Sequence, residues 1–247
     1  MLGRTHVALG MTMSLIIIIL ISAPIYFDNN LIAISVVLIG ALLPDLDMGN
    51  GTLSNKFGIF KEKHIRKVWL FILGLLAIVA FIFFRTTTFF YGIILILFLG
   101  FLMSESFAKK GYRLLRSFVQ ALVAFGFIAA AYHYRHFPLI WVGVILLILL
   151  ISKHRGFSHS LIFAALTILA VRHISLFYGE VDYSVIFGAS IISHIIGDMF
   201  TRGGVKLFLP FSQKRKRFPL TIKTGGKLEN IVFIIACIIT FTLTRKL

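Results

Sequence analysis

Val68-Trp69-Leu70-Phe71-Ile72-Leu73-Gly74-Leu75-Leu76-Ala77-Ile78-Val79-Ala80-Phe81-Ile82-Phe83-Phe84 carries no charged residue from end to end. A helix of this composition is long enough to reach most of the way across a bilayer, whose hydrocarbon core needs roughly 20 apolar residues. The stretch from Val7 to Phe27 repeats the pattern. Apolar residues make up 59% of the 247-residue chain, and the mean hydropathy is +0.97. Backbone amides in lipid must be satisfied within their own segment, which favours helices. The alternation of polar and apolar residues that marks a membrane barrel is absent. The expected fold is an all-α integral membrane protein.

Working outward, nine apolar segments emerge at 7–27, 31–43, 68–84, 88–104, 117–134, 138–152, 157–173, 183–200 and 230–243. The expected architecture is a polytopic bundle of about nine transmembrane helices forming one membrane-embedded domain over 1–247. Arg4 followed by an apolar stretch resembles a signal peptide, but the stretch is long for one, and it reads as a retained first helix. The single cysteine, Cys237, excludes an internal disulfide framework and a thiolate-rich metal site.

The formal net charge is +16. Threading the nine segments alternately puts most of the 25 Lys and Arg on one side; Arg85, Arg135, Arg172, Arg245 and Lys246 fall on the other. Such a bias in short loops marks the cytoplasmic side. The positive charge is therefore a topology signal rather than a nucleic-acid footprint, and no nucleic-acid partner is expected. The tract Lys214-Arg215-Lys216-Arg217 reads as an anchor to anionic lipid head groups, with a second use in holding a phosphorylated substrate.

Histidines and aspartates gather at the ends of the apolar segments on that same side. They are His6, Asp45, Asp47, His154, His159, His194 and Asp198, with Glu229 just before the last segment. Ionisable groups at membrane helices are costly and usually pair or serve a function. Imidazole nitrogen and carboxylate oxygen suit zinc first, with manganese or iron as the other candidates. His194 and Asp198 are four apart and share a helix face. His154 and His159 lie either side of Gly156, where a break turns both rings inward. Each feature alone has an ordinary reading as a helix end, a turn or a packing pair; their coincidence on one side does not. Seven ligand candidates suit two metal ions, or one ion with catalytic acids and bases. His64, His133, His136 and His173 do not join this pattern and read as loop or interfacial residues.

These residues fall in recognisable blocks: Thr5-His6, Leu42-Leu43-Pro44-Asp45-Leu46-Asp47, His154-Arg155-Gly156-Phe157-Ser158-His159-Ser160-Leu161, Ser193-His194-Ile195-Ile196-Gly197-Asp198-Met199-Phe200-Thr201, Gly203-Gly204-Val205, and Gly225-Gly226-Lys227-Leu228-Glu229. In this order they resemble the YdjM-like membrane-bound metal-dependent hydrolases, called LexA-regulated in some bacteria. The resemblance implies a bacterial inner membrane protein. Met48 stands where the family often has a histidine, and residues 68–135 look like a helical insertion relative to shorter members.

The expected function is hydrolysis of a lipid or lipid-linked substrate, a phosphoester first, at the cytoplasmic leaflet. The seven ligands would bind one or two divalent ions. Arg155 or Arg202 would stabilise charge on phosphate oxygens. Glu229 would serve as general base or as the partner orienting a ligating histidine. Two alternatives use the same residues: a transporter or ion-handling protein, whose site would lie near the midplane, and a non-enzymatic membrane protein with a structural metal.

Overall fold

The computed structural model describes residues 1–23, 25, 31–47, 62–152, 155–179 and 181–245, with only the backbone of Asp47. Within them lie nine α-helices: α1 (Gly3–Ile21), α2 (Leu31–Leu42), α3 (Glu62–Phe84), α4 (Phe90–Leu102), α5 (Ser104–His133), α6 (Leu139–Ile151), α7 (Leu161–Phe177), α8 (Ser184–Met199) and α9 (Lys227–Thr244). Two 3-10 turns, Leu43–Asp47 and Phe157–His159, follow α2 and precede α7. The all-helical membrane fold is as expected. Four helices, α1, α3, α5 and α9, are long and apolar enough to cross a bilayer. The other five have 12–17 residues, so α2, at about 18 Å, is well short of a hydrocarbon core of about 30 Å.

The helix bounds depart from the apolar segments where polar residues wind into helix. The run Lys109 to Arg116 lies within α5 rather than in a loop, and Glu105 pairs with Lys109 one turn on, at 2.5 Å. In α1 the helix begins at Gly3, so Arg4, Thr5 and His6 form its first turn.

The chain divides into two compact units, 56–120 and the remainder (1–55 with 121–247). In the 56–120 unit Trp69 ties α3 to its neighbours: its indole N–H donates to the Gly100 carbonyl at 3.1 Å, and its ring stacks on Phe107. Large apolar side chains such as Phe71 and Phe83 stand exposed along α3, a liability in water and an ordinary surface in lipid.

In the larger unit α8 is central, packed against α1, α2 and α7, while α9 lies on α1. In lipid no hydrophobic force drives helices together, so small residues and interhelical hydrogen bonds hold the contacts. The Ser190 hydroxyl donates to the Val37 carbonyl at 2.7 Å and Ser14 to the Ile186 carbonyl at 3.0 Å. Thr12 donates to the Ala236 carbonyl of α9 at 3.1 Å. Gly40 lets α2 approach α8: a methyl group there would lie 3.0 Å from both the Phe187 carbonyl oxygen and the Ser190 Cβ. Gly40→Val is therefore expected to lower stability by about 1–3 kcal/mol, the range for overpacking. A thermal melt in detergent checks this; an unshifted midpoint would show that α2 and α8 have room to spare.

Between α8 and α9 the chain is non-helical. Val205 and Lys216 exchange backbone hydrogen bonds of 3.0 and 2.8 Å, and the Ile222 N–H donates to the Phe200 carbonyl at 2.7 Å. Gly204 sits at a φ of +57°, where a side chain would also meet the Lys216 carbonyl. This folded loop and the two 3-10 turns occupy the end of the unit where α2 and α8 stop.

Candidate metal centre

Four side chains converge there: Asp45, His159, His194 and Asp198, each offering a donor atom within 4.8 Å of the others. His194 and Asp198 come from the last turns of α8, one helical turn apart. Asp45 projects from the 3-10 turn that ends α2, and His159 from the one that precedes α7. The sharp entry to that second turn falls on Arg155, at a φ of +56°, rather than on Gly156. Ser160 caps α7 by accepting the Phe163 N–H at 3.2 Å, which fixes where the turn ends.

Hydrogen bonds set the direction of the rings. His194 Nδ1 is 2.6 Å from the Ala41 carbonyl, which can only accept, so the proton is on Nδ1. In a neutral ring Nε2 then presents its lone pair to the cluster. His159 Nδ1 is 2.9 Å from the Ser158 hydroxyl, and its Nε2 also faces inward. The two Nε2 atoms stand 3.3 Å apart. His159 Nε2 lies 3.4 Å from Asp198 Oδ2 and 3.6 Å from Asp45 Oδ1; His194 Nε2 lies 3.7 Å from Asp45 Oδ1.

Four of the six separations are thus 3.3–3.7 Å, and all six lie within 4.8 Å. Tetrahedral bonds of about 2.0–2.1 Å place neighbouring ligand atoms about 3.3 Å apart. The two histidines and Asp198 are almost completely buried. Asp45 is set against the two imidazoles, so a cation at this point would supply the positive charge that a carboxylate taken out of water needs. The donor set of two nitrogens and two oxygens suits zinc, manganese or iron.

His6 adds a further sign. Its ring is fully buried and stacked on His194, with centroids 3.7 Å apart and planes 17° apart. Neither ring nitrogen has a hydrogen-bond partner among the described residues, although Nε2 is 3.3 Å from Asp198 Oδ1. A buried polar group left unsatisfied is costly, and a site built for another charged group explains it.

Asp198 is the hub. Beyond His6 and His159, its Oδ1 accepts the Met1 amino group at 2.5 Å, and its Oδ2 is 3.6 Å from Arg155 Nε. Gly203 leaves the space that the Arg155 guanidinium fills; a Cβ there would overlap it. Arg202 is exposed, and its carbonyl accepts from the Arg217 guanidinium at 3.4 Å. Glu229 is fully buried with both oxygens engaged: Leu2 N–H donates to Oε1 at 2.5 Å and Gly225 N–H to Oε2 at 2.6 Å. It clamps the start of α1 to the start of α9, so it meets the cluster through the Met1–Leu2 segment.

Of the seven candidate ligands, five thus meet or adjoin one point. The side chain of Asp47 lies outside the described residues, as do His154 and Met48. The sequence reading did not assign Ser158 or the Ala41 carbonyl, which orient the two imidazoles. A serine directly before His159 was the available signal for the first; a backbone carbonyl has none.

Fold and site together define a helical membrane protein with a buried two-histidine, two-aspartate candidate metal centre. Residues 123–247, half of the chain, match the family model of the YdjM inner membrane protein, and the chain belongs to that family. His159, His194, Asp198 and Glu229 fall inside the matched stretch; His6 and Asp45 precede it. No curated protein and no solved structure matches the chain.

Proposed function

We propose that this protein is a metal-dependent hydrolase of a phosphoester in a lipid or lipid-linked head group, acting at the cytoplasmic leaflet. The convergence of Asp45, His159, His194 and Asp198 at one end of the helices, beside Arg155, is the observation that carries this reading. A divalent ion held by these four supplies Lewis acidity at neutral pH. Zinc is the first choice for the ion that Asp45, His159, His194 and Asp198 would hold, with His6 beside them as a further donor.

The chain's own residues complete the chemistry. Arg155, 18% exposed at its side chain, is placed to hold a phosphate oxygen at the edge of the cluster. Nε2 of His6, 3.3 Å from Asp198 Oδ1, faces the same cluster. Lys206, Lys214, Arg215, Lys216 and Arg217 in the loop after α8 attract anionic head groups. The excess of basic residues on the same side supports a cytoplasmic orientation.

One observation favours a second reading, a purely structural metal. Four protein donors close a tetrahedral zinc site, whereas catalytic zinc usually keeps a position open. The two readings separate in one experiment. Purified protein is assayed for bound metal, for release of head groups from phosphatidylglycerol and phosphatidylethanolamine vesicles, and for melting temperature, each with and without chelator. A hydrolase retains a divalent ion and loses head-group release with chelator. Metal-free protein would sink both readings; chelator that only lowers the melting temperature would leave the structural one.

A further inference from the structure

Four helices of the larger unit enclose an apolar groove of about 560 Å³ that the metal centre does not use. From α2 it takes Ile32, Val36 and Ile39, spaced as one helical face, and from the 3-10 turn that follows it takes Leu43. Ala170 and Phe187, both buried, form part of its floor from α7 and α8. The hydroxyl of Thr167 on its wall is turned back onto the Phe163 and Ala164 carbonyls at 2.9 Å, away from the groove, and most of the remaining lining is aliphatic. Ile32 and Ile39 are about half exposed, so the groove opens sideways.

Its position is informative. Leu43, at one end, begins the 3-10 turn that carries Asp45 two residues later. From Ile32 to Leu43 the groove runs about 16 Å at 1.5 Å per residue. One leaflet contributes about half of a hydrocarbon core of roughly 30 Å, so the groove matches the depth of a single acyl layer. Its volume is within the range of about 300–1,000 Å³ usual for small-molecule sites. Arg155 at the metal centre and the basic loop after α8 supply the charge that an anionic head group requires.

We propose that this groove holds one acyl chain of an anionic glycerophospholipid whose head group lies at the metal centre. The proposal deepens the lipid-phosphoesterase reading and rests on it for the placement of the head group. A chain entering sideways from the bilayer keeps its hydrocarbon in an apolar environment while the phosphate reaches Arg155. A polyprenyl chain, longer than one leaflet is deep, fits this length less well.

Full-length protein in nanodiscs is photolabelled with phosphatidylglycerol carrying a diazirine at the end of one acyl chain, and the labelled peptides are identified by mass spectrometry. Label is expected on α2 and α7, reduced at least fivefold by Ala170→Phe. Val36→Phe, on the opposite wall and partly exposed, repeats the test should Ala170→Phe fail to fold. Label spread evenly over outward faces, or unchanged in the folded variants, would overturn the groove as a site. Displacement by a polyprenyl phosphate at lower concentration than by unlabelled phosphatidylglycerol would overturn the acyl assignment. Chelator-insensitive head-group release with normal groove labelling would instead remove the metal-hydrolase reading and leave the groove standing.

Discussion

Asp198→Asn is expected to lower stability by about 3–5 kcal/mol, the cost of removing one partner from a buried charge cluster, and to weaken metal binding by more than about 100-fold, since loss of an outer partner alone costs 10–100-fold. The carboxylate meets the Met1 amino group, His6, His159 and Arg155 at 2.5–3.6 Å. Replacing it by a neutral amide leaves the ammonium and the guanidinium without their anion and faces the histidine nitrogens with a group that binds metal poorly. The cost arises mainly from the charges left behind, so it exceeds the worth of any one pair. Asp45→Asn supplies the internal comparison. Its neighbours in the cluster are the imidazoles of His159 and His194, at 3.6 and 3.7 Å, and its side chain is 10% exposed. It should lose metal as Asp198→Asn does while melting closer to wild type. Metal analysis and thermal melting in detergent check both variants. Equal melting temperatures for Asp198→Asn and wild type would show that Asp198 is not the electrostatic hub.

The legibility of this site in the sequence has a simple physical origin. In a chain this apolar, a polar residue at a helix end stands out, and His6, Asp45, His159, His194 and Asp198 were all visible in that way. The spacing of His194 and Asp198 was enough to place both on one face of α8, because helix geometry is local. What the sequence leaves open is long-range. Nothing in Leu42-Leu43-Pro44-Asp45 says that the Ala41 carbonyl will fix the tautomer of a histidine 153 positions away. That contact depends on α2 approaching α8 closely, which in turn depends on Gly40 and Ser190. Helix bounds failed for the opposite reason. Apolar runs locate the lipid-compatible part of a helix, whereas hydrogen bonding carries α5 back through the basic residues from Lys109 to Arg116. Counting spans from apolar runs likewise says little about α2, α4 and α6, each of 12 or 13 residues.

Glu229→Gln separates two roles that the sequence left equally open. A general base would be tested by activity alone, and its loss would remove a limb of the pH–rate profile while metal content and stability stayed normal. The geometry predicts a different outcome. Both carboxylate oxygens accept backbone N–H groups, from Leu2 and from Gly225, at 2.5 and 2.6 Å. A glutamine can accept through one position only and turns an NH2 group toward the other N–H. Hydrogen bonds to a charged acceptor are worth about 1.5–3 kcal/mol each, so the expected destabilisation is about 2–4 kcal/mol. The first turn of α1 should loosen with it, and that turn carries the His6 ring stacked on His194. Metal affinity should therefore fall even though Glu229 is not among the four converging donors. Backbone amide exchange over the first residues of α1 should rise, and the shape of the pH–rate profile should be retained at lower amplitude. Normal metal content and normal exchange, with a lost pH limb, would return Glu229 to the role of base.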